Sequence, residues 1–501
     1  MSIKRPINSL LIIVIILAMI SLVSCGSDTG ETTGETIGKT AGETTAEIAA
    51  EIAGEIAGEI SVSYFSEMPY GSFLAEAADL FEHDHPGAKI NLEGFSYMPE
   101  IKTSEMEDGS TLAVLEDDDE AAVMDYSNRV NTALMSGKGP DILAFDVLPF
   151  RKYADSGILE DLAAYMEADE GFNIGDYRRN ILDGARYKSS QYMLPLDFFY
   201  FFIALDNTRV DGATAAALKE KGRFTYWELT DAISGQFMGD SSGARVIDFQ
   251  SGALRGFRTV FNSEYKNYID LENKKAHFTD SDFAELLKRF ERQRADGYFV
   301  PEFASRDEIT EDYIASARLY YLKYETDMVL QQIFLPKQGM DVQEAFPTPT
   351  VDEIAGLLVN SEGKASFRYS QAYGISANSQ NKQLAWEFLK FLMGGEMQQS
   401  NNLYGLPINN EAFTKESKKY FVTDFPSDGR MEITKPEFID AYNEYIKYLD
   451  GFVSDLSCCP ITDTVIDDLV SNEAGLFFDG STSAEEAAAT LQNRVQLYLD
   501  E

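Results

Sequence analysis

Residues 60–92 read ISVSYFSEMPYGSFLAEAADLFEHDHPGAKINL, and their periodicity changes twice. Ile60, Val62 and Tyr64 alternate with Ser61 and Ser63, the two-residue period of a strand with one buried face. Phe73, Ala77, Leu80 and Phe81 then recur at helical spacing. Pro86-Gly87 ends that run, and Ile90 and Leu92 open a second alternating stretch. Strand, helix and strand in succession predict a parallel β-α-β crossover, the unit of α/β sheets.

The same grammar continues downstream. Val130 to Leu134 reads as helix, and the turn Gly137-Lys138-Gly139-Pro140 leads to a strand over residues 141–145. A further helix is predicted around Pro149 to Tyr153. Residues 192–205, YMLPLDFFYFFIAL, are apolar enough for a buried central strand. Thr225-x-x-Glu228 has the form of a capping box, so a helix should start there. From about Thr279 the pattern is mostly helical, with strand-like pieces at 318–324 and 366–375. Residues 104–122 are acidic, with a run from Glu116 to Glu120, and read as a solvated insertion. Five consecutive carboxylates lack the spaced ligands and glycine turn of a calcium loop. No Pro/Ser-rich linker divides the body, so two lobes would have to be interwoven.

Upstream lies an address. Lys4 and Arg5 precede an apolar stretch from Leu10 to Ile20, and Leu22-Val23-Ser24-Cys25 closes it with a small residue before cysteine. This resembles a bacterial lipobox, in which the cysteine, here Cys25, is diacylated. A membrane-spanning anchor is the alternative, and both place the remainder outside the cytoplasm. Residues 26–59, GSDTGETTGETIGKTAGETTAEIAAEIAGEIAGE, are of low complexity and predict a flexible tether.

The 501 residues include 42 Lys and Arg against 83 Asp and Glu, a formal net charge of −41. Nucleic-acid binding requires clustered cations, so this balance argues against that class. Apart from Cys25 there are only the adjacent Cys458 and Cys459, neither a disulfide framework nor a metal spacing. His83-Asp84-His85 puts two histidines on different faces of a helix and reads better as a helix end before Pro86 than as a metal site. No metal or cofactor is expected.

Several segments together resemble the extracellular solute-binding proteins of family 1, the maltose-binding-protein-like group. They are Met135-Ser136-Gly137-Lys138-Gly139-Pro140-Asp141-Ile142, Tyr153-Ala154-x-x-Gly157-x-Leu159-x-Asp161-Leu162 and Tyr192-x-Leu194-Pro195. To these add Ser379-x-Asn381-Lys382-x-x-Ala385-Trp386-Glu387-Phe388-Leu389-Lys390-Phe391-Leu392, Gly405-Leu406-Pro407-Ile408-Asn409, and the ending from Leu491 to Glu501. Order and spacing carry the likeness over residues 60–501; residues 210–315 match loosely, and the aromatic run after Pro195 is heavier than the pattern. The resemblance implies an α/β, two-lobed periplasmic-binding-protein-like (type II) fold with hinge strands and a C-terminal helical region. One lobe is expected from 60–198 plus about 318–370, and the other from about 199–317 plus 371–501. It also implies a monomeric, lipid-anchored component of an ABC importer. Such a component captures a small polar solute, a sugar or oligosaccharide, by hinge closure and passes it to permease subunits.

In such folds ligands bind outside the carboxyl ends of the strands. The candidates are therefore Ser66, Glu67, Met68 and Tyr70 after the first strand, Asp146 after the strand 141–145, and Asp197 and Tyr200 at the first crossing. Tyr324 and Glu325 after a returning strand, and Tyr373 and Gly374 near the last crossing, complete them. Carboxylates accept sugar hydroxyls, and aromatic faces cover the C–H surface of a sugar ring. The resemblance puts Asp146 and Asp197 at positions where acids take such hydroxyls. Trp386 lies beside the apolar stripe of Leu384, Phe388 and Phe391 and reads as packing, as does Trp227.

Two features of the sequence bear on enzymatic classes. Gly239-Asp240-Ser241-Ser242-Gly243 satisfies G-x-S-x-G, but a helix is expected before it and a strand after it, the reverse of a nucleophile elbow. A glycosidase needs only a carboxylate pair, yet among 83 acids no pair stands out. A surface lipoprotein that binds polymer without delivering it is the third class.

Overall fold

The computed structural model describes residues 56–65, 71–95, 100–105, 111–116, 119–207, 210–237, 245–246, 252–299, 318–319, 321–325, 352–403, 405–419, 447–448, 450–459 and 463–500. The opening crossover is present: β1 (Gly58–Tyr64), α1 (Ser72–Asp84) and β2 (Ala88–Gly94), with β1 and β2 parallel and Ile60 opposite Ile90. Helix α1 buries Phe73, Leu74, Ala77, Ala78 and Phe81. It stops at Asp84, where the His85 N–H closes the last turn on the Phe81 carbonyl and its ring packs 4.6 Å from that of Phe81. The His-Asp-His motif is therefore a helix end, as read.

Of the stretch 104–122, residues 106–110 and 117–118 lie outside the described residues. Its described residues belong to the antiparallel pair β3 (Glu100–Glu105) and β4 (Thr111–Glu116) and to the start of α2 (Asp119–Met135). The acidic run obscured the alternation of Leu112 and Val114. The first lobe continues with β5 (Ile142–Ala144), α3 (Phe150–Asp155), α4 (Leu162–Ala168), α5 (Arg179–Gly184) and β6 (Leu194–Pro195). Strand β7 (Asp197–Leu205) then carries the chain across.

Beyond it come α6 (Gly212–Lys221), β8 (Arg223–Phe224), α7 (Tyr226–Phe237), β9 (Arg245–Val246) and α8 (Ala253–Ser263). The short β10 (Ile269–Asp270) and β11 (Lys275–Ala276), α9 (Phe283–Ala295), β12 (Arg318–Leu319), β13 (Tyr321–Glu325) and β14 (Ile354–Leu358) follow. The chain returns through β15 (Ala365–Arg368) to β16 (Ala372–Ile375), α10 (Lys382–Leu392), β17 (Leu406–Pro407) and α11 (Asn410–Lys419). It leaves again through β18 (Leu456–Cys458) to α12 (Thr464–Phe478) and α13 (Ala484–Asp500). The capping box at α7 is formed: the Thr225 N–H donates to the Glu228 carboxylate at 2.8 Å, and the Glu228 N–H to the Thr225 hydroxyl at 3.2 Å. Residues 239–243 lie outside the described residues, with α7 before them and β9 after. Among the described residues no helix is long and apolar enough to cross a membrane.

Two sheets organise these elements. The first has the order β2-β1-β5-β16-β6, and the second β18-β15-β7-β14-β8, with β13 and β17 also paired to β7. Phe198, Tyr200 and Phe202 of β7 enter the core of the first lobe, whereas Ile203 and Leu205 enter that of the second. A strand shared by two cores has little use for polar residues, which accounts for its heavy aromatic content.

Pairing and burial show where the return segments pack. β16 pairs with β5 and β6, and α10 packs in the first core, so residues 372–413 belong with the first lobe. Strand β13 pairs with β7 from Phe201 to Leu205, while β14 pairs at Ile203 and Ala204 and buries Ile354 and Leu357 in the first core and Ala355 in the second; among the described residues of the C-terminal segment, those in the second core lie within 463–500. Burial on both faces leaves no local sequence signal of this: Ala372, Tyr373 and Ile375 show no polar alternation that could tell one sheet from the other. Trp386 is fully buried, and its indole N–H donates to Asp169 at 2.9 Å, a packing role as read.

Candidate functional site

β1, β2 and β5 are neighbours in the first sheet, with β1 parallel to both, so the residues following them collect on one side. Phe65 follows β1, Phe95 follows β2, and Asp146 lies two residues beyond β5. The rings of Phe65 and Phe95 stack at 5.7 Å with 13° between planes, and Tyr126 of α2 tilts against both at 5.6 and 5.7 Å. The Arg129 guanidinium lies 5.3 Å from the Phe95 ring centre. Ser63 from within β1 hydrogen-bonds the Tyr126 hydroxyl at 3.1 Å. A carboxylate and an aromatic cluster thus meet at the strand ends.

Asp146 is half-buried there. One of its oxygens accepts the Phe65 N–H at 3.2 Å and the other the Val147 N–H at 2.8 Å. Burial pushes its carboxyl up to about 6, and these N–H donors hold it back from rising further. Burial likewise raises the hydroxyls of Tyr126, Tyr369 and Tyr373 above the usual phenol range, and the Asp146 charge adds to each. Such a carboxylate can accept hydroxyls from a ligand, while the rings beside it offer apolar faces.

The other expected residues are placed differently. Asp197 is fully buried and accepts the N–H groups of Ser370 at 2.8 Å, Gln371 at 3.1 Å and Gly405 at 2.9 Å, together with the Ser370 hydroxyl. It pins β7 to the loops after β15 and before β17. Tyr200 is fully buried in the first core. Tyr373 is fully buried too, its hydroxyl donating to the Gln371 side chain at 3.0 Å. At Gly374 an added Cβ would meet the Tyr192 carbonyl oxygen at 2.5 Å and the Phe145 ring at 2.8 Å, so close packing explains the glycine. The backbones of Tyr324 and Glu325 pair with Phe202 and Phe201. Ser66, Glu67, Met68, Tyr70 and Cys25 lie outside the described residues.

Phe65, Phe95, Tyr126 and Arg129 were not singled out in the sequence. The strand-end rule could have found Phe65 and Phe95, but Tyr126 and Arg129 reach the cluster from a helix and carry no local signal. A cavity of ≈310 Å³ opens in the second lobe between α7, α8, α9 and the β14–β15 turn, with Trp227, Glu264, Asp282 and Arg289 among its walls. None of the expected residues lines it. Trp227 is half-buried there under the Arg289 guanidinium, 3.6 Å from its ring centre. Among the described residues no group of three or more His, Cys, Asp or Glu is placed to hold a metal ion.

Comparison with known proteins agrees with this architecture. Among solved structures, an extracellular solute-binding protein of family 1 from Alicyclobacillus acidocaldarius superposes with a TM-score of 0.54 at 14% identity, covering 89% of this chain and 99% of that one. A cyclic α-maltosyl-1,6-maltose binding protein from Arthrobacter globiformis gives 0.52 at 14% identity, covering 88% and 99%. An ABC substrate-binding protein from Listeria monocytogenes in complex with cycloalternan gives 0.50 at 16%, covering 89% and 99%. At these identities the likeness establishes the fold, a two-lobed type II binding-protein architecture. No curated protein matches the sequence. The profile of bacterial extracellular solute-binding proteins matches residues 66–399, about two-thirds of the chain. This chain belongs to the bacterial extracellular solute-binding proteins.

Proposed function

We propose that this chain is the capture component of an ABC importer, taking a sugar or oligosaccharide between its lobes without transforming it. The single observation that carries the reading is the meeting of Asp146 with Phe65, Phe95 and Tyr126 at the strand ends of the first lobe. Hydroxyls of a sugar would donate to the carboxylate while a ring face stacks on the aromatic cluster. The second lobe would then close over the ligand and favour the closed state through contacts made only there. The proteins from Arthrobacter globiformis, named for binding cyclic α-maltosyl-1,6-maltose, and Listeria monocytogenes, solved with cycloalternan, support a saccharide as the ligand class. Delivery to permease subunits, action as a monomer and anchoring outside the cytoplasm through a diacylated Cys25 complete the proposal.

A thermal-shift screen over mono- and oligosaccharides, followed by calorimetry, tests it. At least one saccharide should raise the melting temperature and be recovered unchanged. Asp146→Asn should weaken that saccharide about tenfold or more, the effect of losing a hydrogen bond to a charged group. Failure of every saccharide to shift the transition, or release of a cleaved product, would contradict the proposal.

A further inference from the structure

Helix α3 follows β5 and Asp146, and it carries two adjacent cations to the second lobe. The Arg151 guanidinium lies 5.7 Å from the ring centre of Tyr187 in its own lobe and 5.5 Å from that of Tyr265, whose ring belongs to the second core. Lys152 Nζ lies 4.0 Å from the ring centre of Tyr498 on α13. Nε and Nη1 of Arg151 are buried and make no hydrogen bond, so aromatic faces hold that part of its charge. The Tyr498 ring is itself anchored. The Tyr498 hydroxyl donates to the Asp463 carboxylate at 3.0 Å, and Asp463 caps α12 by accepting the N–H groups of Val465 and Ile466. Two neighbouring cations of one lobe thus face two rings of the other.

We propose that Arg151 and Lys152 form a cation–π clasp between the lobes, which stabilises the present lobe arrangement. The proposal rests on the two-lobe capture reading and deepens it. The apparent affinity of a two-state protein scales with the fraction in its binding-competent arrangement, so the clasp would tune capture without touching the ligand. Loss of each contact should change the ratio of lobe arrangements by about fivefold.

Small-angle scattering on the full chain without saccharide tests the clasp separately from the capture proposal, since no ligand has to be known. Arg151→Met/Lys152→Met should retain the parent's circular dichroism yet broaden the interatomic distance distribution. Tyr498→Leu, from the opposite lobe, should act in the same direction, and Tyr498→Phe, which keeps the ring, should match the parent. Lys152→Met combined with Tyr498→Leu should change the profile no more than either alone, because both remove one contact. A parent-like profile for Arg151→Met/Lys152→Met would overturn the clasp. So would additive effects of Lys152→Met and Tyr498→Leu. Weakened saccharide binding by Arg151→Met with an unchanged profile would instead place Arg151 against the ligand.

Discussion

Asp146 and Asp197 are both aspartates at strand boundaries, and their surroundings give them opposite work. The Asp146 carboxyl, pushed up to about 6 by burial from an ordinary 3.8, keeps in the folded state a proton that the unfolded chain has already released. The folded state therefore binds more protons between about pH 4 and 6. The contribution of Asp146 to stability is most favourable below about pH 4 and falls as pH rises through about 6. The full cost above that range is at most roughly 3 kcal/mol, the free energy of the shift. Urea midpoints measured from pH 4.5 to 7.5 should show this decline, and Asp146→Asn should flatten it. An equal slope in parent and variant would remove Asp146 as its source. Asp197, in contrast, should matter for stability and not for recognition. Asp197→Ala leaves three backbone N–H groups buried without their acceptor and should cost about 3 kcal/mol or more in chemical denaturation. A variant as stable as the parent would show that the pin is dispensable. The sequence could not separate the two, since it shows a carboxylate beside a strand but not how many N–H groups converge on it.

Strand β7 shows what was legible in the pattern and what was not. Its apolar run announced a buried strand, and the Thr225-x-x-Glu228 box announced the start of α7, because both signals are local. The allotment of β14, β16 and α10 to lobes depends on partners far along the chain. No period distinguishes one fully buried sheet from another. The aromatic cluster was half legible for the same reason: Phe65 and Phe95 sit at strand ends, whereas Tyr126 arrives from a helix. The two faces of β7 also differ in what they bear. Phe202 is fully buried in the first core, while Phe199 on the other face is half-buried. Phe202→Ala should therefore destabilise by about 3–5 kcal/mol and Phe199→Ala by clearly less, read from denaturation midpoints. Equal costs would contradict a strand with one face in the first core.

The chain crosses between its lobes at β7, β15 and β18, so neither lobe is a contiguous stretch of sequence. In the proposed closure, these three crossings would form the joint about which the lobes rotate while each core stays intact. The strand ends of the first lobe, with Asp146 and its aromatic neighbours, would then be covered by the second. The net charge of −41 adds self-repulsion and offers nothing to a phosphate backbone. Capture by closure makes a demand that a rigid binder does not. The radius of gyration, measured by small-angle scattering before and after saturation with a saccharide that raises the melting temperature, should decrease as the lobes close. Saturable binding with an unchanged radius would contradict capture between the lobes.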